Sequence, residues 1–191
     1  MVGVQVSTGA GTEAAPPADT PPADTPPVST EGGTEAVTHS AQTPERRNTA
    51  MPIHHVEVPD GSPAFGGTTS AFARFGHAPA VRSHGHLFIS GQIGRRPDGV
   101  PGETAEEQTE LAIRRLEEIL RLENLGLGDL VDVTSYHVDI RANMPGFLAA
   151  KQRLVTAPYP AWTIIGVSGL ASPELLVEIQ ATAAYPDDMA R

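Results

Sequence analysis

Hydrophobic spacing in the second half of the chain predicts a long amphipathic helix. It runs from Ala105 to about Leu125, with Thr104 and Glu107 at the spacing of a capping box. Gly126 follows as the predicted C′ residue. The apolar side chains recur at helical spacing on one face: Ala112, Ile113, Leu116, Ile119 and Leu120.

Runs rich in β-branched residues predict strands before and after this helix. The strands are Val81–Ser83, His86–Ser90, Leu130–Val138, Trp162–Val167 and Leu175–Ala184. A second helix is predicted from Met144 to Thr156, with Pro145 tolerated near its start. The order β-β-α-β-α-β-β predicts an α/β (α+β) fold, with one mixed sheet and both helices on one face. Because the other face also carries apolar residues, we expect oligomerisation.

The chain divides by composition into three parts. Residues 1–50 contain the repeat PPADT-PPADT-PPVST at positions 16–30 and are predicted to be a disordered Pro/Ala/Thr-rich tail. The tail is interpreted as a linker, or alternatively as a segment recognised by a proline-binding module, and Met51 is a second candidate start. Residues 51–74 are predicted to be an extended lead-in to a folded domain at 75–186.

Composition excludes several classes of function. The formal net charge is −10 and basic residues are not clustered with aromatic ones, which argues against a nucleic-acid partner. No apolar run is long enough for a membrane span, and no targeting signal is present. Zero cysteines exclude disulfides and a cysteine nucleophile. The paired histidines His54–His55 and His84/His86 lack a third ligand, so neither a metal nor a cofactor is predicted. We expect a soluble cytoplasmic protein.

Three segments resemble the RidA family (YjgF/YER057c/UK114), small trimeric proteins whose best-known members hydrolyse reactive imines. They are Leu87–Ile93, Tyr159–Thr163 and Leu175–Ala181, and the resemblance covers roughly residues 75–185. It implies a chorismate-mutase-like fold and a homotrimer with a closed sheet barrel inside. It also implies small-molecule sites at the clefts between subunits.

The resemblance suggests catalytic and binding residues in the first and last strands. His77 stands where the family has a tyrosine over the substrate, and a histidine can transfer protons near neutral pH. Ser90 and Gly91 match the family's Ser-Gly-Gln, where the backbone approaches the ligand. Glu178 matches the first glutamate of the family's last strand, whereas Gln180 replaces the second, which helps to position water. Period-2 alternation puts Glu178 and Gln180 on one face.

Trp162 stands where the family usually carries an arginine that clamps the substrate carboxylate. An indole offers a flat apolar surface and one N–H donor, so Trp162 and the neighbouring Thr163 are predicted to bind a ring or a cation rather than a carboxylate. The alternative is that Trp162 fills the cleft. Arg74 and Arg82 flank the His77 segment and are a minority hypothesis for a replacement clamp, with ordinary surface arginines as the default.

These residues predict a RidA-like enzyme acting on an imine, an enamine or a related small unsaturated nitrogen compound. The reaction would be hydrolysis, or a cyclisation or elimination step, rather than standard 2-iminopropanoate deamination. The alternative is a non-catalytic trimer that binds a small ligand or a partner protein. A ribonuclease, the activity named for some relatives, is disfavoured by the acidic charge.

Overall fold

A computed structural model describes residues 53–186. The predicted tail at 1–50 and Met51 lie outside the described residues. The strands are β1 (His54–Val56), β2 (Ala80–Ser83), β3 (His86–Ile93), β4 (Leu130–Val138), β5 (Ala161–Val167) and β6 (Val177–Ala184). The helices are α1 (Ser70–Phe75), α2 (Ala105–Leu122) and α3 (Ile140–Leu154), with short 3₁₀ helices at Gly66–Thr69 and Leu127–Asp129.

One mixed sheet carries the strands in the order β1-β2-β3-β6-β4-β5. All neighbours are antiparallel except β4 and β5, which α3 connects as a parallel crossover. Helices α2 and α3 pack against each other, and the apolar side of α2 supplies the core with Ala112, Ile113, Leu116, Ile119 and Leu120. The predicted α/β (α+β) architecture is confirmed, with an added edge strand and the short helix α1.

Helix α2 begins as predicted and ends earlier. The Thr104 hydroxyl accepts a hydrogen bond from the Glu107 N–H at 3.1 Å. At the other end Asn124, not Gly126, adopts the left-handed conformation, with φ 57°. The N–H of Leu125 donates to the carbonyl of Leu120 at 2.8 Å, closing a Schellman motif. Asparagine tolerates positive φ, so the C′ residue lies two positions before the predicted Gly126 and α2 ends at Leu122.

Helix α3 starts at Ile140, four residues before the predicted Met144. Asp139 turns the chain directly out of β4 with φ 45°, and the Asn143 side-chain amide donates to the Val138 carbonyl at 2.8 Å. Pro145 therefore lies inside the helix rather than at its start. The amide of Asn143 holds the junction between β4 and α3.

The predicted extended lead-in at 51–74 is extended only around β1. Beyond it, the chain turns back through the first 3₁₀ helix into α1, which Gly76 ends with φ 69°. The physical reason is burial of aromatic surface. Phe65 is fully buried, and its ring centroid lies 5.8 Å from that of Phe72.

Strand register assigns each side chain to one face of the sheet. One cross-strand row faces the helices: Ile89, Ala181, Val133 and Trp162. Another faces the opposite side, which we call the open face: Ile93, Glu178, Tyr136 and Ile165. The open face includes the exposed side chains of Phe88 and Ile165, at 49% and 39% exposure. Within residues 53–186, no helix is long and apolar enough to cross a membrane.

Candidate functional site

A cavity of about 470 Å³ lies where α1 covers the adjoining strands β3 and β6. It brings together five of the seven residues proposed from the sequence: His77, Ser90, Gly91, Glu178 and Gln180. They come from three separate parts of the chain, so only the folded sheet and its α1 cover make them neighbours.

A β-bulge in β3 shapes the floor of this cavity. The pairing register of β3 with β6 shifts between Ile89 and Gln92, which leaves Ser90 and Gly91 in the bulge. The Ser90 hydroxyl donates to the Ala78 carbonyl at 2.7 Å. That bond ties the segment carrying His77 to the bulge. Ser90 thus acts as a positioning group, and no base lies in hydrogen-bond contact with its hydroxyl among the described residues.

Gly91 makes room for the carboxylate of Glu178. A Cβ built on Gly91 would overlap Oε1 of Glu178, so any larger residue must displace that side chain. In the single chain a protein carboxylate makes the close approach at this glycine, and the expected approach of a ligand stays a prediction. Burial raises the pKa of Glu178, while the nearby charge of His77 acts in the opposite direction.

Glu178 and Gln180 project from the same face of β6, as the alternation predicted. Glu178 pairs across the sheet with Tyr136, and Gln180 pairs with Thr134, both on the open face. A carboxyl group can donate or accept a proton, and a raised pKa keeps the proton bound to a higher pH than usual. The amide of Gln180 can orient a water molecule. His77 lies against Phe72, with ring centroids 5.4 Å apart in an edge-on arrangement.

Trp162 does not line this cavity, and its predicted role in binding a ring or a cation stays a prediction. Its indole faces the helices, where Nε1 donates to Ser135 Oγ at 2.9 Å. Its ring centroid lies 6.0 Å from that of Phe147, and Lys151 Nζ lies 4.4 Å from it. The cause is alternation in β5: Trp162 pairs with the buried Val133, so it shares the core-facing side.

Thr163 lies on the open face but outside the cavity. It pairs with Thr134, which in turn pairs with Gln180. Two strand spacings, about 10 Å, therefore separate Thr163 from Gln180. Thr163 is exposed at the free edge of the sheet within the described chain.

The alternative arginines also lie elsewhere. Arg82 pairs with Glu123 at 3.5 Å, and the Arg74 guanidinium lies 5.2 Å from the ring centroid of Phe75. Neither lines the cavity. The hypothesis that one of them replaces the missing clamp receives no support from the structure.

Among the lining residues that sequence reasoning did not assign to the site are Phe72, Phe75 and Arg115. A signal existed for each. Phe72 and Phe75 are spaced three apart just before Gly76, which is typical of a short helix with a glycine C′ residue. Arg115 interrupts the apolar face of α2, three residues after Ala112. Among residues 53–186, no group of three His, Cys, Asp or Glu is placed to hold a metal ion.

Comparison with known proteins identifies the family of this chain and agrees with the fold. Residues 68–185 match the sequence model of the family described as endoribonuclease L-PSP. The chain is 35% identical over 122 residues to the RutC family protein YjgH of Escherichia coli strain K12, covering 63% of this chain and 92% of that protein.

Solved structures give the same result. A structure of protein YjgH superposes with a TM-score of 0.57 at 32% identity, covering 69% of this chain and 99% of that one. A YjgF/YER057c/UK114 family member from Mycobacterium tuberculosis has a TM-score of 0.57 at 24% identity, covering 70% and 99%, and shares the fold. This chain belongs to the RidA family (YjgF/YER057c/UK114), a group of small-molecule-processing proteins.

Proposed function

We propose that the protein is an enzyme acting on a small imine, enamine or related unsaturated nitrogen compound. One observation carries this proposal: the carboxyl group of Glu178 has a pKa raised by burial and shares a cavity with His77 and Gln180. A proton donor and acceptor of this kind is what addition of water to a C=N bond requires.

The proposed reaction is the hydrolysis of an imine. The Glu178 carboxyl group gives its proton to the imine nitrogen, and a water molecule oriented by Gln180 attacks the carbon. The resulting carboxylate takes back a proton from that water, which leaves a carbinolamine. A second proton transfer to nitrogen, from Glu178 or His77, breaks the C–N bond and releases ammonia. The donor recovers its proton from the carbinolamine hydroxyl group, which becomes the carbonyl group. A cyclisation or elimination would use the same proton transfers without water.

Assembly as a homotrimer is part of this proposal. The open face exposes Phe88 and Ile165, and apolar surface of this kind is stabilised when covered by another subunit. Thr163 lies on the same face, so a neighbouring subunit would bring it closer to a cavity than one chain does. The alternative function, a non-catalytic trimer that binds a small ligand or partner, rests on this same face.

A ribonuclease is not proposed, although the family description includes that word. The chain has a formal net charge of −10, and phosphate backbones are bound through concentrated positive charge.

The proposal is tested with imines generated in solution by an amino acid oxidase. The oxidase acts on amino acids with small and large side chains, and loss of the imine is followed with and without the protein. We expect faster hydrolysis for at least one larger imine, and its loss in Glu178→Ala. Glu117→Ala is the matched control because Glu117 is half-exposed on α2 and, among residues 53–186, pairs only with Arg114. If every imine and neutral enamine decays at the buffer rate, the proposed enzymatic activity is contradicted and the non-catalytic binding function is favoured.

A further inference from the structure

Arg115 is a buried guanidinium on the wall of the same cavity. It projects from α2 and is only 5% exposed. The cavity that it lines also contains His77 and Glu178. Nothing in the proton-transfer chemistry above uses this cation, although it lies in the same cavity as the groups that perform it.

The contacts of Arg115 leave its charge uncompensated. One terminal nitrogen donates to Thr68 Oγ1 at 3.0 Å, and the guanidinium carbon lies 4.8 Å from the ring centroid of Phe65. Its Nε has no hydrogen-bond partner among residues 53–186. None of the ion pairs formed by the described residues includes Arg115. Arg114, its neighbour in sequence, contacts Glu117 at 2.8 Å.

Burying a cation without a counter-charge is energetically unfavourable. Burial of a charged group is stabilised by pairing, and an uncompensated charge costs several kcal/mol in proteins. Burial, followed by the charge of Arg95, lowers the pKa of Arg115 to about 10, so the group stays charged at neutral pH. An anion bound in the cavity would supply the missing counter-charge and accept bonds from the free N–H groups.

We propose that Arg115 binds a carboxylate of the ligand whose unsaturated nitrogen is placed at Glu178. The placement of the unsaturated nitrogen rests on the proposed function, whereas the binding of the carboxylate rests on Arg115 alone. Arg115 and Glu178 line one cavity without forming an ion pair, so a ligand can lie between them. Phe72 and Phe75 form the apolar part of the wall. The ligand class is therefore an unsaturated nitrogen compound with a carboxylate and an apolar side chain.

The test measures binding rather than turnover. The probes are 2-oxobutanoate, which carries a carboxylate, and 2-butanone, its neutral counterpart. Binding is followed by titration calorimetry and by ligand-detected NMR at low ionic strength. The variants are Arg115→Met, which keeps the apolar volume, and Arg115→Lys, which keeps the charge but loses the paired N–H donors of the guanidinium group. Arg114→Met is the matched control, because Arg114 is half-exposed and already paired.

We expect Arg115→Met to raise the dissociation constant for 2-oxobutanoate about 10-fold or more, and Arg115→Lys to raise it less. Arg114→Met leaves it unchanged, and 2-butanone binds equally weakly to all forms. In the absence of probe, Arg115→Met unfolds at a temperature equal to or above that of the unaltered protein, because an unpaired buried charge is removed.

Two results overturn the inference. One is equal affinity of the unaltered protein and folded Arg115→Met for 2-oxobutanoate. The other is a loss of thermal stability in Arg115→Met with unchanged binding, which would make Arg115 a structural cation stacked on Phe65. Carboxylate binding that depends on Arg115 without any turnover would uphold the inference while the proposed reaction fails. Turnover of a carboxylate-bearing imine that is unaffected by Arg115→Met would uphold the proposed reaction while the inference fails.

Discussion

The carboxylate of Glu178 occupies the space that a Cβ on Gly91 would need. The two residues come from neighbouring strands, and the bulge in β3 brings the backbone of Gly91 against the side chain of Glu178 on β6. Glu178 can therefore hold its carboxyl group in this position only because Gly91 has no side chain. This relationship links a backbone irregularity directly to the proposed proton transfer.

Replacing Gly91 with alanine is expected to displace Glu178 while preserving the fold. Overpacking of this kind lowers the free energy of unfolding by about 1–3 kcal/mol. Most of that loss should disappear when the same change is made in Glu178→Ala, because the colliding atoms are gone. Urea denaturation of the four proteins measures the coupling. Gly67→Ala is the control, since a Cβ there meets nothing within 4 Å. Full additivity would contradict the contact.

The raised pKa of Glu178 predicts a stability change with pH. The folded state holds the proton more tightly than the unfolded state, whose carboxyl group titrates near 4.5. Its favourable contribution is fully present below pH 4.5 and is lost as the pH rises through the higher folded pKa. As the pH rises through this interval, Glu178→Gln should therefore become more stable relative to the unaltered protein. Urea titrations from pH 4 to 8 measure it, and a flat difference would show an ordinary pKa.

His137 predicts the opposite dependence on pH. Its side chain is fully buried, with Nε2 2.9 Å from Ser135 Oγ, and burial lowers its pKa below 6.5. Stability from the neutral ring is fully present above pH 6.5 and is lost as the pH falls through the lower folded pKa. Thermal unfolding between pH 5 and 8 should show this slope, and His137→Gln should lack it. The exposed His54→Gln is the control and should retain the slope.

Trp162 is predicted to act on stability through Ser135. Trp162→Phe keeps most of the packing on Phe147 and removes the indole N–H, which should lower the free energy of unfolding by about 1 kcal/mol. Ser135→Ala removes the same bond from the other side, so the double variant should lose less than the sum. Binding of 2-oxobutanoate should be unaffected. A large loss of binding in Trp162→Phe, with stability intact, would restore Trp162 to the site.

The open face is predicted to hold the subunits together. Ile165→Asp places a charge on the exposed apolar surface and should shift the protein to monomers, because a buried unpaired carboxylate is strongly unfavourable. Multi-angle light scattering measures the mass in solution. Ile53→Asp is the matched control, since Ile53 is 64% exposed and lies outside the sheet. A trimer that tolerates Ile165→Asp would place the interface elsewhere.

The sequence by itself determined the order of the main elements and the sharing of faces along each of them. Helical spacing identified α2, and alternation placed Glu178 and Gln180 together, because both periodicities are local consequences of backbone geometry. The Ser90–Gln92 segment and the Val177–Gln180 strand likewise located most of the candidate site through their family resemblance.

Only the tertiary structure decided which face each residue serves and what lies against it. Trp162 was assigned to a cleft by its position in the family pattern, yet pairing with Val133 turns it toward the helices. In the sequence Arg115 only interrupts the apolar stripe of α2. The fold places it on the wall of the cavity that contains Glu178, without an ion pair among the described residues. Periodicity fixes which side chains share a face, whereas the burial of that face and its long-range neighbours depend on how distant segments pack.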